Sequence, residues 1–308
     1  MRGFLRAYAK IKNMIEEYIV YGILAVLGAM FGSYAAATVW RLRAKQLQED
    51  EAAGEKVAAR EKQQVAKLQK KSALADRSVC LHCGKQLDWF ELVPVISWLA
   101  LRGKCRQCKQ PIGVMELLAE LGMASAFVFS YTLWPYGLTT GLEQGLFVVW
   151  LATLVILAIQ WMYDARRQYL LTFSTIALAA AGVLFAVLYV LSHEINWVDY
   201  LVQTGWLLLM LPGFYGLLYL LSGRSWVGLG DVYLLIPFAI MLPSWDYGLL
   251  LVFLANLIGT LVVLPGMLAK KITRKSRIPF GPFLIVGFIL TMLLGQAIIM
   301  YYTRDILS

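Results

Sequence analysis

The chain has 308 residues, of which 60% are hydrophobic and only 15% are charged, and its formal net charge is +9. A soluble domain typically has about 45–50% apolar and about 25% charged residues, so this composition excludes an ordinary soluble domain. Apolar runs of about 20 residues, the length that crosses a bilayer, recur along the sequence. The composition therefore predicts an all-α polytopic membrane protein.

Eight apolar segments are predicted to cross the membrane, and the sixth is short and contains Pro237. Their approximate bounds are 18–40, 115–134, 142–163, 170–191, 199–221, 229–243, 246–266 and 282–302. The predicted organisation is an N-terminal arm (1–17), a first transmembrane helix (18–40), a loop (41–114) and a membrane-embedded core of about seven helices (115–302).

Lysine and arginine residues are concentrated in alternate loops, which predicts the orientation by the positive-inside rule. The loops after segments one, three, five and seven contain 15, 2, 1 and 5 of them, and those after segments two, four and six contain none. We therefore expect these four loops in the cytoplasm and both termini outside. The positive net charge then suits anionic lipid rather than nucleic acid.

The loop 41–114 is the only large extramembrane piece. Its first half, 43–76, is rich in Ala, Glu, Lys and Gln, which favours a solvated helical arm. The later stretch 89–99 is apolar, but an acid and a proline interrupt it too much for a membrane span. Its tryptophans suit the membrane–water interface, and packing inside the loop itself is the alternative.

All four cysteines lie in this loop as two CxxC pairs, Cys80/Cys83 and Cys105/Cys108, with 21 residues between the pairs. Two such turns can complete a tetrahedron of thiolates around one zinc ion, although the usual separation is about 15–20 residues. A reducing compartment disfavours two disulfides. The ion would be structural unless His82 competes for a position, and redox-active thiols are the alternative.

Asp164 and Asp231 each lie where an apolar segment meets a loop, where a carboxylate is costly to desolvate. Gly228 and Gly230 precede the second one and let the backbone approach another group closely. In the predicted topology both acids lie at the cytoplasmic face. Two neighbouring carboxylates can share one proton and hydrolyse a peptide bond by general acid–base catalysis. The alternatives are an arginine ion pair for Asp164 and a helix-capping or first-turn acid for Asp231.

Two further acids, Glu116 and Glu120, open the second segment one helical turn apart and therefore lie on one helix face. They are expected either to line a polar cavity or to pair with cations of the loop.

Several motifs together resemble the bacterial type IV prepilin peptidases, which are membrane aspartic proteases of the GxGD type. The motifs are Gly32-Ser33 followed by Arg41-Leu42, the cysteine loop from 77 to 105, Gly228-Leu229-Gly230-Asp231, and the start of the last segment at 278–283. The resemblance implies that Asp164 and Asp231 are catalytic and that Cys80, Cys83, Cys105 and Cys108 hold structural zinc. Gly228, Gly230 and Glu116 support the match.

The resemblance implies a bacterial inner-membrane endopeptidase that cuts the basic leader from type IV prepilins or type II secretion pseudopilins on the cytoplasmic side. Many family members also methylate the new amino terminus with S-adenosylmethionine. Expected partners are these substrates and membrane lipid, with no nucleic acid. Two other classes stay open: a non-catalytic assembly factor that recruits partners through the zinc loop, and a transporter, which would place charged groups near the middle of the bilayer.

Overall fold

The computed structural model describes residues 2–54, 78–167, 170–223, 227–270 and 278–307. These residues are largely helical, with two isolated β-bridges and no strand among them. The described α-helices are α1 (Arg2–Ala52), α2 (Ile96–Ala100), α3 (Val114–Thr132), α4 (Gly141–Arg167), α5 (Thr172–Ser192), α6 (Trp197–Leu208), α7 (Phe214–Leu221), α8 (Leu229–Met241), α9 (Trp245–Leu268) and α10 (Gly281–Leu307). A 3-10 helix (Trp89–Leu92) precedes α2, and a π-helical turn (Leu209–Gly213) joins α6 to α7.

Within the described residues, seven helical segments are long and apolar enough to cross a membrane, with α6 and α7 forming one of them. Helix α8 is a shorter apolar helix of 13 residues. The prediction of a polytopic α-helical membrane protein with about eight membrane helices is thereby confirmed.

Helix α1 is much longer than the predicted first span of 18–40. It begins at Arg2 and ends at Ala52, so both the predicted arm and the start of the predicted loop are helical. The residues after 40 are mostly Ala, Gln, Glu, Lys and Arg, which are strong helix formers, and this explains why the helix outlasts its apolar part. The remainder of the predicted helical arm, 55–76, lies outside the described residues.

The chain forms two compact units, residues 1–129 and 130–308. In the first unit, α1 packs closely against α3 at two glycines. A Cβ atom on Gly28 would lie 2.5 Å from the carbonyl oxygen of Met123, and Gly32 lies just as tightly against Ala119. Small residues four positions apart allow membrane helices to approach this closely. The predicted division of the chain into arm, loop and core stays a prediction.

Glu91 stabilises the start of the 3-10 helix in the apolar stretch of the loop. Its carboxylate accepts the backbone N–H of Asp88 over 2.9 Å, which closes the start of the 3-10 helix, and it pairs with Lys85 over 2.9 Å. Burial raises the pKa of Glu91, but the Asp88 N–H and the Lys85 ammonium hold it below the usual value overall. The acid is therefore buried with partners, as a buried charge requires.

In the second unit, α4 packs against α5 and α10, α5 packs against α8, and α9 packs against α10. Aromatic rings fill its centre. Phe238 and Phe288 stack with 4.0 Å between their ring centroids, and Trp150 lies beside them. The indole N–H of Trp150 donates to the hydroxyl of Ser130 over 2.9 Å, which satisfies the only polar group of that buried ring. This packing joins α4, α8 and α10 in the interior of the unit.

The fifth membrane segment is interrupted at Pro212, inside the π-helical turn between α6 and α7. Proline has no N–H to donate and its ring crowds the preceding turn, so a wider turn accommodates it. Helix α7 then carries Tyr215, which is buried.

Candidate active site

Asp164 and Asp231 lie at helix ends in the second unit. Asp164 is in the last turn of α4, and Asp231 is in the first turn of α8, where Gly228 rather than the acid is the N-cap. Both residues are buried, with 4% and 8% of their surface exposed. A first-turn acid or the partner of a surface ion pair can stay in water, so these alternatives do not explain the burial.

The two carboxylates converge on the start of α10. A Cβ atom on Gly281, the first residue of that helix, would lie 2.5 Å from Oδ2 of Asp164 and 3.5 Å from Oδ1 of Asp231. The two oxygens are therefore no farther apart than the sum of those two distances. The structure thus brings together the two acids that the sequence singles out, although they are far apart along the chain.

The glycines before Asp231 have different local roles. A Cβ atom on Gly230 would lie 2.6 Å from Cδ1 and 3.1 Å from Cβ of Leu170, so only glycine lets α8 begin this close to that leucine. Gly228 is extended, and its carbonyl accepts the N–H of Asp231 over 3.1 Å. The motif therefore fixes where the helix begins and which side chain its first turn buries.

Two residues near the aspartates, Gly281 and Tyr215, are not predicted as site residues from the sequence. Gly281 lies within a motif that carries the family resemblance, but only the glycine–proline pair at a helix start hinted at a close approach. Tyr215 lies close enough to Asp231 for a charge interaction, and its ring is nearly parallel to that of Phe280, with 6.3 Å between the centroids. Nothing in the sequence around Tyr215 marks it as a site residue, because its place near Asp231 results from the packing of α7 against α8.

The four cysteines form one cluster in the first unit, and their Sγ atoms all lie within 4.8 Å of one another. The Sγ atoms of Cys80 and Cys108 are 3.8 Å apart, and those of Cys83 and Cys105 are 4.0 Å apart. A tetrahedron with Zn–S bonds of about 2.3 Å has sulfur–sulfur edges of about 3.8 Å, so the cluster has the dimensions of one zinc site. His82 is exposed and is not among the ligand atoms of this cluster.

The two CxxC turns share the same local structure. In each, the N–H of the first cysteine donates over 2.8 Å to the carbonyl five residues later, and the residue after the second cysteine has a positive φ angle. These residues are Cys80, Lys85 and Gly84 in the first turn and Cys105, Gln110 and Lys109 in the second. The backbone therefore presents the two pairs of thiols in the same way.

The surroundings of the thiols differ in their effect on ionisation. Burial raises the pKa of the Cys80 thiol to about 12. Burial also raises the pKa of Cys105, but the backbone N–H groups of Cys108 and Gln107 hold it below the usual value, at about 7. At least one thiol of the cluster can therefore release its proton near neutral pH, which metal binding requires.

Glu116 and Glu120 have different partners, both within the first unit. The indole N–H of Trp40 donates to Oε1 of Glu116 over 3.2 Å. The backbone N–H of Val95, in the cysteine loop, donates to Oε2 of Glu120 over 2.7 Å. Neither contact tests the role of Glu116 as a supporting motif residue, which stays a prediction.

Comparisons with known proteins agree on one family. Residues 26–134 match the family model described as Bacterial Peptidase A24 N-terminal domain. A prepilin leader peptidase/N-methyltransferase of Dichelobacter nodosus is 32% identical over 231 residues, which cover 75% of each chain. Proteins of the same name from Pseudomonas aeruginosa and Aeromonas hydrophila are 30% and 28% identical, covering 74% and 77% of the relative and 74% and 76% of this chain. No solved structure matches the chain.

The fold and the site define a class of multi-pass membrane proteins in which two acids from separate helices meet at the start of a third. Within that class, the identity and coverage of its relatives show that the chain belongs to the type IV prepilin peptidase family. The family model itself ends before Asp164, so that match rests on the first two membrane helices and the cysteine loop.

Proposed function

We propose that the chain is an aspartic endopeptidase of the bacterial inner membrane that removes the basic leader from type IV prepilins or type II secretion pseudopilins. Its membership of the family supports a prepilin peptidase, because its relatives carry the name prepilin leader peptidase/N-methyltransferase. The observation that carries the aspartic mechanism is the convergence of Asp164 and Asp231 beside Gly281.

Hydrolysis by this pair requires one ionised and one protonated carboxylate. Two carboxylates in close approach favour that state, because like charges at short range oppose the ionisation of both. The ionised group takes a proton from a water molecule, which attacks the scissile carbonyl carbon. The protonated group donates its proton to the leaving amide nitrogen. Burial of both groups strengthens these interactions, because the surrounding protein screens charge less than water does.

The cytoplasmic orientation of the site is supported by the distribution of basic residues. The loops that follow the predicted segments one, three, five and seven hold all the loop lysines and arginines. The end of α4 and the start of α8 adjoin two of these loops. A prepilin with a basic leader in the cytoplasm and an apolar helix in the membrane would then present its leader junction to the two aspartates.

We further propose that the ion held by the four cysteines is zinc, which the sulfur–sulfur distances support. Four thiolates fill a tetrahedral coordination sphere, so the ion would cross-link the two turns and take no part in hydrolysis.

The name that the relatives share also supports N-methyltransferase activity, with S-adenosylmethionine as the methyl donor. The proposal that this chain methylates the new amino terminus rests on family membership. No described residue is assigned to that cofactor.

The test is to incubate the purified chain with a prepilin, with and without S-adenosylmethionine, and to measure the mass of the product. We expect loss of the leader after a glycine, and one added methyl group when the donor is present. Asp164→Asn and Asp231→Asn should each abolish cleavage, because an amide side chain cannot act as the general acid or the general base. The matched control is Asp199→Asn, an exposed acid in the first turn of α6.

If Asp164→Asn and Asp231→Asn both cleave prepilin at the normal rate, the aspartic mechanism is refuted. No cleavage by the wild-type chain would refute the peptidase and favour the alternative, a non-catalytic membrane assembly factor.

A further inference from the structure

The stretch 89–99 between the two cysteine pairs, hereafter the apolar segment, exposes large apolar side chains. Trp89 and Ile96 have 79% and 67% of their surface exposed, and Phe90, Leu92 and Leu99 are exposed as well. Five such side chains within 11 residues are unusual on a surface that meets only water. The alternative raised by the sequence, that this stretch packs into the loop itself, is therefore wrong for these five residues.

A hydrogen bond fixes the position of the apolar segment along α3. The N–H of Val95, in the middle of the segment, donates over 2.7 Å to Oε2 of Glu120, which is 8% exposed. Glu120 lies six residues after Val114, where α3 begins, which corresponds to about 9 Å along the helix axis. The segment therefore lies beside α3 beyond its first turn, where Leu118 and Leu121 expose their side chains.

The backbone at this contact adopts a conformation that valine rarely takes. Val95 has φ 60° and ψ −52°, and the N–H of Ile96 donates to the carbonyl of Pro94 over 2.5 Å, which closes a γ-turn. A β-branched residue in this region is strained, and such strain persists only where the surroundings determine it. The carboxylate of Glu120 supplies that constraint, because it accepts the N–H that the turn directs at α3.

Positive charge flanks the apolar segment. Arg102, Lys104 and Arg106 are exposed, and the guanidinium of Arg106 lies 5.2 Å from the centre of the Phe90 ring. Tryptophan rings favour the headgroup level of a bilayer, and clustered lysines and arginines are attracted to anionic headgroups. The segment thus combines apolar side chains with cations in the arrangement that suits an anionic membrane surface.

We propose that the apolar segment is an interfacial membrane anchor. Trp89, Ile96 and Leu99 insert into the boundary between headgroups and acyl chains of an anionic bilayer beside α3, and the hydrogen bond from Val95 to Glu120 sets their depth. The two CxxC turns are thereby held at the membrane surface instead of moving freely in the aqueous phase. This proposal does not depend on the peptidase activity.

The test is photo-crosslinking of the full chain in vesicles of phosphatidylethanolamine and phosphatidylglycerol. Chains in which p-benzoylphenylalanine replaces Trp89 or Ile96, with no other change, should give lipid adducts that are detected by mass spectrometry. The positive control is the same probe at Leu261, which is exposed on the apolar helix α9. A probe at Gln110, exposed and polar in the second CxxC turn, should give none. Absence of lipid adducts at both test positions, or crosslinks there to a second copy or to prepilin, would overturn the proposal.

A matched pair of variants tests the hydrogen bond that sets the depth. Glu120→Ala removes the acceptor, so the lipid adduct at Ile96 should fall about tenfold, the factor expected for losing one hydrogen bond to a charged group. Glu120→Gln keeps an amide oxygen that accepts the Val95 N–H, so the adduct should recover. Bound zinc, measured in both variants, should stay unchanged. Equal adduct yields in the wild type and Glu120→Ala would refute this contact as the depth anchor.

The lipid composition separates charge from apolar insertion. Vesicles without phosphatidylglycerol should give fewer adducts at Trp89, because the exposed cations lose their attraction to the surface. An equal yield in both vesicles would refute the preference for anionic lipid.

Discussion

Gly281 and Asp164 approach each other so closely that a Cβ atom at the glycine would lie 2.5 Å from a carboxylate oxygen. The same atom would lie 3.5 Å from Asp231. The first residue of α10 therefore leaves room for both acids because it has no side chain. An added Cβ atom would have to displace the Asp164 carboxylate, whereas the Asp231 carboxylate would lie at ordinary contact distance.

We accordingly expect Gly281→Ala to lower cleavage of prepilin by about 100-fold, the cost of a misplacement of roughly 1 Å in an active site. The measurement is the initial rate with purified enzyme at matched protein concentration. Gly205→Ala in α6 is the control, because a Cβ atom there has no neighbour within 4 Å. A wild-type rate for Gly281→Ala would mean that the acids do not work in the geometry described.

A second prediction concerns Gly230, where a Cβ atom would meet Leu170 at 2.6 Å. We expect Gly230→Ala to reduce cleavage, because α8 must move away from that leucine and carries Asp231 with it. Adding Leu170→Ala in the same chain should restore part of the activity, since it removes the nearest contacting atom, Cδ1, and leaves only the Cβ contact at 3.1 Å. Initial rates of the two single variants and the double variant form a cycle that isolates this contact. Additive losses in the double variant would contradict the explanation.

A third prediction separates structural zinc from redox thiols. Cys80→Ser and Cys105→Ser should each lower the metal content from about one zinc per chain to nearly none, because the loop then offers three thiolates to an ion that structural sites hold with four ligands. The measurement is metal analysis of purified protein. His82→Ala is the control and should keep its metal, because His82 is not part of the cluster. Full zinc content in both serine variants would contradict the assignment of the four cysteines as zinc ligands.

A fourth prediction tests the close packing of α1 against α3. Gly32→Leu should destabilise the protein by about 1–3 kcal/mol, the usual cost of overpacking a tight contact. Gly22→Leu, in the same helix, should have little effect, because a Cβ atom at Gly22 has nothing within 4 Å. Thermal unfolding in detergent, followed by circular dichroism, compares the two variants. Equal midpoints would show that the glycine contact contributes little.

Local patterns of the sequence were sufficient for the membrane helices and for the grouping of four cysteines. The apolar runs and CxxC spacing are short-range features, and each has one favoured physical outcome. The pattern is less informative at Pro237, because proline is unfavourable inside a helix. Helix α8 nevertheless continues through Pro237, from Leu229 to Met241. The carbonyl oxygen of Pro237 lies against Gly182 of α5, so packing overrides local propensity there.

Contacts between distant parts of the chain were beyond the reach of the sequence pattern. The pairing of Glu120 with the Val95 N–H joins residues 25 positions apart, and no periodicity encodes it. The same holds for Gly281 beside the two acids, since a glycine has no side chain whose chemistry could signal its neighbours. Pro212 is a helix breaker by residue type, but the position of Tyr215 after the π-helical turn depends on the surrounding helices.

The equivalence of the two cysteine turns has a consequence for how such sites are recognised in other sequences. Each turn is closed by its own backbone hydrogen bonds, so the intervening polypeptide is attached at both ends but is not stretched by the metal. The length of the intervening segment is therefore not set by the metal site. An interval longer than the usual separation of about 15–20 residues, such as the 21 residues here, is compatible with four-cysteine metal binding.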